Sequence, residues 1–319
     1  MLNKKKKPKI TIMLAKPRGF CAGVTRAIKI VEKAIKKFGK PVYVRHEIVH
    51  NRFVVESLKE KGAIFVDELS EVPADRPVIF SAHGVSKAVV KEAEDRNIHF
   101  IDATCPLVEK VHLETIKNFN LGNDVILIGH KKHPEIIGTK GQIPEENIII
   151  IEGEDDAKNF SPDTKKTYSY VTQTTLSFDE TEKIIKILKN KIPNIGQPNK
   201  NDICYATTNR QNAIKEIAAI CDTIFVIGSP NSSNSQRLVE VSKTSGCMKS
   251  FLIESPDEIN WGALEGIQTL GITAGASAPE ILVKKVIAGI KKRYNVKIKE
   301  TTFTKEKTIF KLPIELKEP

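Results

Sequence analysis

Three times along its length the chain sets a cysteine just ahead of a helical stretch, and the stretches beyond the three cysteines are alike. The three segments are Gly19-Phe20-Cys21-Ala22, Ala103-Thr104-Cys105-Pro106 and Asp202-Ile203-Cys204-Tyr205. A helical pattern, an apolar strand-like run and a polar loop come after each one. The loops carry His50, His133 and Ser232, which lie 29, 28 and 28 residues after their cysteines. A further strand leads to a second polar loop in each segment: Ser81-Ala82-His83-Gly84, Thr172-Gln173-Thr174-Thr175 and Gly275-Ala276-Ser277-Ala278. The cysteines are spaced 84 and 99 residues apart, so one supersecondary unit is used three times.

Within each unit, apolar runs such as Ile10–Ala15, Val78–Ser81, Asp124–Ile128, Thr223–Ile227 and Thr269–Thr273 alternate with helical patterns such as Val24–Phe38, Val108–Phe119 and Asn212–Cys221. This alternation predicts an α/β fold with mainly parallel sheets. Ligands of such sheets bind at the loops after the carboxyl ends of the strands. Three similar units, each with one thiol and two polar loops, are expected to form a pseudo-threefold assembly whose loop ends converge on one site. Three separate binding domains in a row are the alternative, and the equivalent cysteines favour convergence.

The remaining bulk features narrow the chemistry. With 319 residues and 40% hydrophobic content the chain can bury a large core. It has no apolar run of about 18 residues, and its basic start lacks the apolar stretch of a secretory signal. A cytoplasmic protein with no membrane span is therefore expected. Five widely spaced cysteines without a Cys-x-x-Cys pair argue against a disulfide framework, a zinc ribbon and a thioredoxin motif. A net charge of +11 fits either a nucleic-acid surface or a small anionic substrate. Aromatic residues make up only 6%, and no helix-turn-helix, zinc-finger or stacking signature occurs, so no nucleic-acid partner is expected.

Three convergent thiolates suit a soft metal centre, and three protein ligands leave one position open. A structural zinc would want a fourth protein ligand. Cys221, on an apolar helical face, and Cys247, in a polar turn, read as core or structural residues. His50, His83 and His133 occupy matched loops and are candidate site residues. His46, His99, His112 and His130 have no matched placement and read as structural. Asn231-Ser232-Ser233-Asn234 precedes a helical pattern and offers hydroxyls, an amide and backbone N–H groups to a phosphate, although a plain N-cap accounts for it equally well on its own.

Taken together, these segments resemble the LytB-type family of 4-hydroxy-3-methylbut-2-enyl diphosphate reductases. The likeness runs from about Ile10 to Leu316. It rests on Pro17-Arg18-Gly19-Phe20-Cys21-Ala22-Gly23-Val24, His46-Glu47-Ile48-Val49-His50-Asn51, Phe80-Ser81-Ala82-His83-Gly84-Val85-Ser86 and Asp102-Ala103-Thr104-Cys105-Pro106-Leu107-Val108. Further matches are His133-Pro134-Glu135, Thr172-Gln173-Thr174-Thr175-Leu176, the stretch from Cys204 to Gln211, Asn231-Ser232-Ser233-Asn234 and the stretch from Thr273 to Pro279.

The resemblance implies a three-domain trefoil around one [4Fe–4S] cluster per chain, with Cys21, Cys105 and Cys204 as ligands and a fourth iron open to the substrate hydroxyl. It implies diphosphate or substrate contacts by His50, His83, His133, Thr174, Ser232, Ser233, Asn234 and Ser277. Proton supply falls to Glu135, assisted by Thr174. The implied reaction removes the allylic hydroxyl as water with two electrons and two protons, giving isopentenyl and dimethylallyl diphosphate as the last step of the non-mevalonate pathway. Electrons would come from a carrier such as ferredoxin or flavodoxin, and the chain is expected to act as a monomer. The expected layout is a basic disordered tail at 1–9, α/β domains at 10–104, 105–203 and 204–299, and a C-terminal tail at 300–319 packing back on the body. Two positions depart from the family pattern: Thr25 replaces a common Asp, and Lys131-Lys132 replaces a common Gly, which puts the loop geometry before His133 in question. A non-redox enzyme acting on phosphate esters through a metal or a Cys nucleophile is the rival enzyme class.

Overall fold

The computed structural model describes residues 7–316. The first six residues of the expected basic tail lie outside the described residues. Of the rest, Lys9 already belongs to a strand, so the tail does not extend to residue 9.

Strands and helices alternate along the chain. The first stretch holds β1 (Lys9–Lys16), α1 (Ala22–Phe38), β2 (Val42–Arg45), α2 (Arg52–Lys61), β3 (Ala63–Val66), β4 (Val78–Phe80), α3 (Lys87–Asp95) and β5 (Phe100–Asp102). Next come α4 (Pro106–Asn120), β6 (Asp124–Ile128), α5 (Pro134–Lys140), β7 (Ile148–Ile151), α6 (Glu154–Asn159), β8 (Tyr168–Thr172) and α7 (Phe178–Lys191). The last stretch holds α8 (Tyr205–Ala218), β9 (Thr223–Ile227), α9 (Ser233–Thr244), β10 (Ser250–Ile253), β11 (Thr269–Ala274), α10 (Glu280–Arg293) and β12 (Asn295–Thr302). All pairings of these strands are parallel. The α/β class with parallel sheets, expected from the alternation, is what the chain forms.

Two compact units result. One takes in the chain up to Cys21, His50–Arg52 and Tyr205–Thr308; the other takes in Ala22–Val49, Phe53–Cys204 and the chain from Ile309 on. In the first unit the sheet order is β10-β9-β11-β1-β12. β9 is buried at every residue, as a strand covered by helices on both faces must be. Period-two alternation sorts β1: Ile10, Ile12 and Leu14 join the core under α10, while Ala15 joins the core under α8 and α9. β12 is mostly exposed and carries Lys297, Lys299 and Glu300, the charges that keep an edge strand from pairing further.

The second unit holds two sheets, ordered β3-β2-β4-β5 and β7-β6-β8. β6 and β8 are fully buried, between one core that includes Leu176, Ile184 and Leu188 and another that includes Val111, Ile136 and Val171.

The repeat is visible inside each sheet. The strand after the cysteine's helix is the middle of three: β3-β2-β4, β7-β6-β8 and β10-β9-β11. A fourth segment then pairs with the third strand: β5 with β4, Gly196 with Ser169 of β8, and β1 with β11. Each cysteine comes after that fourth segment.

The expected domain boundaries differ from these sheets at two points. β1, expected to open the domain at 10–104, pairs with β11 and β12 instead. The boundary between 299 and 300 cuts β12, whose pairing with β1 runs on to Thr302. An apolar run shows that it will be buried but does not name the sheet, and β12 carries too many charges to read as a strand. Near the end of the described residues, Lys311 and Glu315 offer carbonyls to Arg26 and Lys37 of α1.

Candidate active site

Each of the three repeat cysteines sits in the same backbone frame. Its N–H donates to the carbonyl of the second residue beyond the third strand of a sheet. Cys21 bonds Ala276 at 3.1 Å, Cys105 bonds Ala82 at 3.0 Å and Cys204 bonds Thr174 at 3.0 Å. All three are partly exposed, and none of the five cysteines is in a disulfide. Half-buried soft thiols in three equivalent frames fit the donor set of an iron–sulfur cluster, in which each cysteine holds a different iron. Among the described residues, no group of three His, Cys, Asp or Glu side chains is placed to share a single metal ion.

Cys221 and Cys247 behave otherwise. Both lie in the core between α8, α9 and the sheet of the first unit. A Cβ on Gly271 of β11 would stand 3.1 Å from the Cys221 sulfur, so the thiol packs directly under the strand. Burial pushes its pKa up to about 12. The helix expected to reach Cys221 ends at Ala218, and Cys247, expected in a polar turn, is buried.

Four of the candidate residues meet in the second unit. α5 begins at Pro134, and the His133 ring caps it, Nδ1 accepting the Glu135 N–H at 3.2 Å. The His83 and His133 rings meet edge to face at 5.9 Å. Glu135 is only 2% exposed. One carboxylate oxygen accepts the Thr174 N–H at 2.6 Å, and the other accepts the Thr174 hydroxyl at 3.0 Å. Burial raises the carboxyl's pKa to about 7 against the pull of these two hydrogen bonds, and Asp202 adds to the rise.

The first unit gathers the others. Ser277 Oγ donates to the His50 carbonyl at 2.9 Å, and the Asn231 amide lies 3.5 Å from His50 Nδ1. Ser232 caps α9, its Oγ accepting the Ser235 N–H at 3.3 Å. The N-cap reading thus holds, and the first turn of such a helix, here with Ser233 and Asn234, presents backbone N–H groups that favour an anion. Asn234 also serves the cysteine frame: its Oδ1 accepts the Ala276 N–H at 2.9 Å, and its Nδ2 donates to Thr207 Oγ1 at 3.2 Å.

Lys131 and Lys132 stand where Gly is common, yet neither takes a positive φ. Lys131 instead donates its N–H to Glu152 at 2.9 Å, so the loop accepts side chains there.

Several residues gained no role from the sequence. Asp202 accepts the Thr172 N–H at 3.0 Å and pairs with Lys110 at 2.9 Å, just before Cys204. Arg210, 0% exposed, grips the carbonyl of Gly19, just before Cys21.

Comparison with known proteins adds three kinds of likeness. A family model described as LytB protein matches residues 12–291. A 4-hydroxy-3-methylbut-2-enyl diphosphate reductase of Cereibacter sphaeroides is 53% identical over 312 residues, 98% of each chain. The enzyme of that name from Hyphomonas neptunium is 56% identical over 308 residues, 96% of this chain and 98% of its own. Among solved structures, the E-1-hydroxy-2-methyl-but-2-enyl-4-diphosphate reductase of Plasmodium falciparum superposes with a TM-score of 0.91 at 37% identity, covering 97% of each chain. A second, described as the terminal enzyme of the non-mevalonate pathway, gives 0.62 at 30% identity over 89% of this chain and 99% of its own.

Proposed function

The chain belongs to the LytB family, and on that premise we propose that it reduces 4-hydroxy-3-methylbut-2-enyl diphosphate to isopentenyl and dimethylallyl diphosphate, closing the non-mevalonate pathway. The observation that carries the chemistry is the buried Glu135–Thr174 contact. Loss of an allylic hydroxyl needs an acid that is protonated near neutral pH and close to the leaving oxygen. A carboxyl whose pKa burial lifts to about 7 meets the first demand. When Glu135 is protonated, its O–H can donate across the 3.0 Å contact to the Thr174 hydroxyl, which passes its own proton onward to the departing oxygen. Thr174 thus serves as both relay and substrate contact.

Cys21, Cys105 and Cys204 would hold three irons of a [4Fe–4S] cluster, which when bound would pass on the donor's two electrons one at a time and offer an open Lewis-acidic iron. The family's trefoil, with one cluster per monomeric chain and a small carrier such as ferredoxin or flavodoxin as donor, is part of this reading. Diphosphate recognition falls to His50, His83, His133, Ser232, Ser233, Asn234 and Ser277. Imidazole N–H groups, hydroxyls and the first turn of α9 give a phosphate the several donors it needs.

Replacing Glu135 tests the assignment. Glu135→Gln keeps the shape and one hydrogen bond but removes the transferable proton. Turnover with an artificial reductant, compared at equal cluster occupancy, should fall by about 10²–10⁴-fold. Substrate affinity should change little, because the lost interaction belongs to the transition state. A Gln variant within about threefold of the parent rate, well short of the acid-catalysis range, assigns the proton to another group.

A further inference from the structure

Each cysteine loop is held by a cation, and the cation comes from the helix that begins after a different cysteine. Arg26 stands on α1, five residues after Cys21. Its Nη1 donates to the Thr104 carbonyl at 3.0 Å, immediately before Cys105. Lys110 stands on α4, five residues after Cys105. Its ammonium binds the Asp202 carboxylate at 2.9 Å and the carbonyls of Lys200 and Asn201 at 2.7 and 3.1 Å, immediately before Cys204. Arg210 stands on α8, six residues after Cys204. Its Nε and Nη2 grip the Gly19 carbonyl at 3.1 and 2.7 Å, two residues before Cys21. The three contacts close a cycle: the helix of the first cysteine holds the second, that of the second holds the third, and that of the third holds the first.

Further contacts make the holds rigid. Arg210 spends its other donors on the Ala206 carbonyl at 2.8 Å and on both oxygens of Glu306, at 3.0 and 3.3 Å. Glu306 also accepts from the Asn209 amide at 3.1 Å. Arg26 Nε donates to the Lys311 carbonyl at 2.8 Å. Gly19 itself has φ +70°, and a Cβ there would stand 3.1 Å from the Ala278 carbonyl, so this loop has little room to adjust. A guanidinium or ammonium that donates to carbonyls makes charge-assisted hydrogen bonds, stronger than neutral ones.

We infer that Arg26, Lys110 and Arg210 are positioning residues that fix the loops of Cys105, Cys204 and Cys21 respectively, through this cyclic pairing. The inference rests on the proposed role of those cysteines, but its test does not need the cluster.

The cluster-free full-length chain is treated with iodoacetamide, and the alkylation rate of each cysteine is read by peptide mass spectrometry in the parent and in Arg26→Gln, Lys110→Gln and Arg210→Lys. Losing one charge-assisted hydrogen bond to a loop carbonyl corresponds to about a tenfold change. Arg26→Gln should therefore speed Cys105 about tenfold, Lys110→Gln should speed Cys204, and Arg210→Lys should speed Cys21, each leaving the other two near the parent rate. Should the buried Arg210→Lys fail to fold, the two partly exposed positions carry the test. A rise in the cysteine on the cation's own helix, an equal rise in all three, or no rise at all overturns the pairing. Iron and sulfide in the reconstituted parent test the cluster itself separately: a parent without iron removes the ligand reading while the labelling pattern still decides the anchors.

Discussion

Glu135, the acid of the proposed reaction, holds a raised pKa at the expense of the fold around it. In an unfolded chain its carboxyl titrates near the ordinary 4.5, whereas burial in the fold lifts it to about 7. Between these values the folded state holds a proton that the unfolded state has released. Stability therefore falls as pH rises through this window, and the whole penalty is present above about pH 7. Glu135→Gln does not titrate and escapes the penalty. Urea unfolding of the cluster-free protein should show the Gln variant gaining about 2–3 kcal/mol on the parent between about pH 5 and about pH 8. A constant difference across that range would mean that the carboxylate is not buried as described. None of this was legible in the sequence, where a glutamate two residues after a histidine in a polar loop looks like a surface charge. Its role came from the resemblance; its tuning comes from burial, which lifts the carboxyl against the two hydrogen bonds that Thr174 supplies from a separate loop. Arg210 was hidden for a related reason. An arginine in a polar helix reads as solvated, and only the Glu306 carboxylate and the Gly19 carbonyl explain its complete burial.

At the level of elements, the strands that carry the site were the legible part, because an uninterrupted apolar run such as Val125–Ile128 or Ile224–Ile227 has to be covered on both faces. The turns after them were less so. Ser81-Ala82-His83-Gly84 comes directly after β4, and Gly84 takes φ +78°. A Cβ at Gly84 would stand 2.7 Å from Cε1 of His112 and 3.3 Å from the methyl of Thr104. His112 reads as structural in the sequence and has no visible link there to this turn. It lies on α4 with its Nε2 buried and without a hydrogen-bond partner, and burial lowers its pKa to about 4, so the ring packs as a neutral, essentially apolar body. Gly84→Ala should combine left-handed strain with overpacking, at a total cost of about 2–4 kcal/mol in urea unfolding. On the proposed role of His83, which this turn carries, diphosphate binding should weaken as well. A fully stable Gly84→Ala variant with parent affinity would show that the turn is free to move off His112. Cutting His112 back to Ala in the same chain should relieve the steric share alone, and the two changes should couple in a double-mutant cycle.

The molecule as a whole is governed by a repeat whose sequence period and structural module are out of step. Each cysteine opens a sequence repeat, yet its backbone frame is built by the sheet whose fourth segment has just ended. Cys105 comes after β5, Cys204 after the Gly196 pairing, and Cys21 after β1, which joins the sheet of β9 and β11 near the other end of the chain. The count of three units was therefore readable from spacing, while the ownership of β1 was not, because strand pairing over such a separation leaves no local pattern. The permutation leads to a prediction that separates the five cysteines. Cys21, Cys105 and Cys204 share one hydrogen-bonded frame, and all three stay partly exposed. Cys221 and Cys247 are enclosed in a core, and burial raises both thiols, to about 12 in the case of Cys221, which disfavours the thiolate that a metal requires. Anaerobic reconstitution of the parent should give a brown protein with about four irons and four sulfides per chain. Cys105→Ala should lose most of that iron and all turnover, and Cys21→Ala and Cys204→Ala should behave alike, because the three frames are equivalent. Cys247→Ala removes one sulfur from a packed core and should cost stability on the order of 1 kcal/mol, with iron content and the visible spectrum unchanged. Full iron in Cys105→Ala would sink the assignment, and so would a folded Cys247→Ala that binds none. A colourless parent carrying zinc would instead return the chain to the non-redox phosphate-ester class.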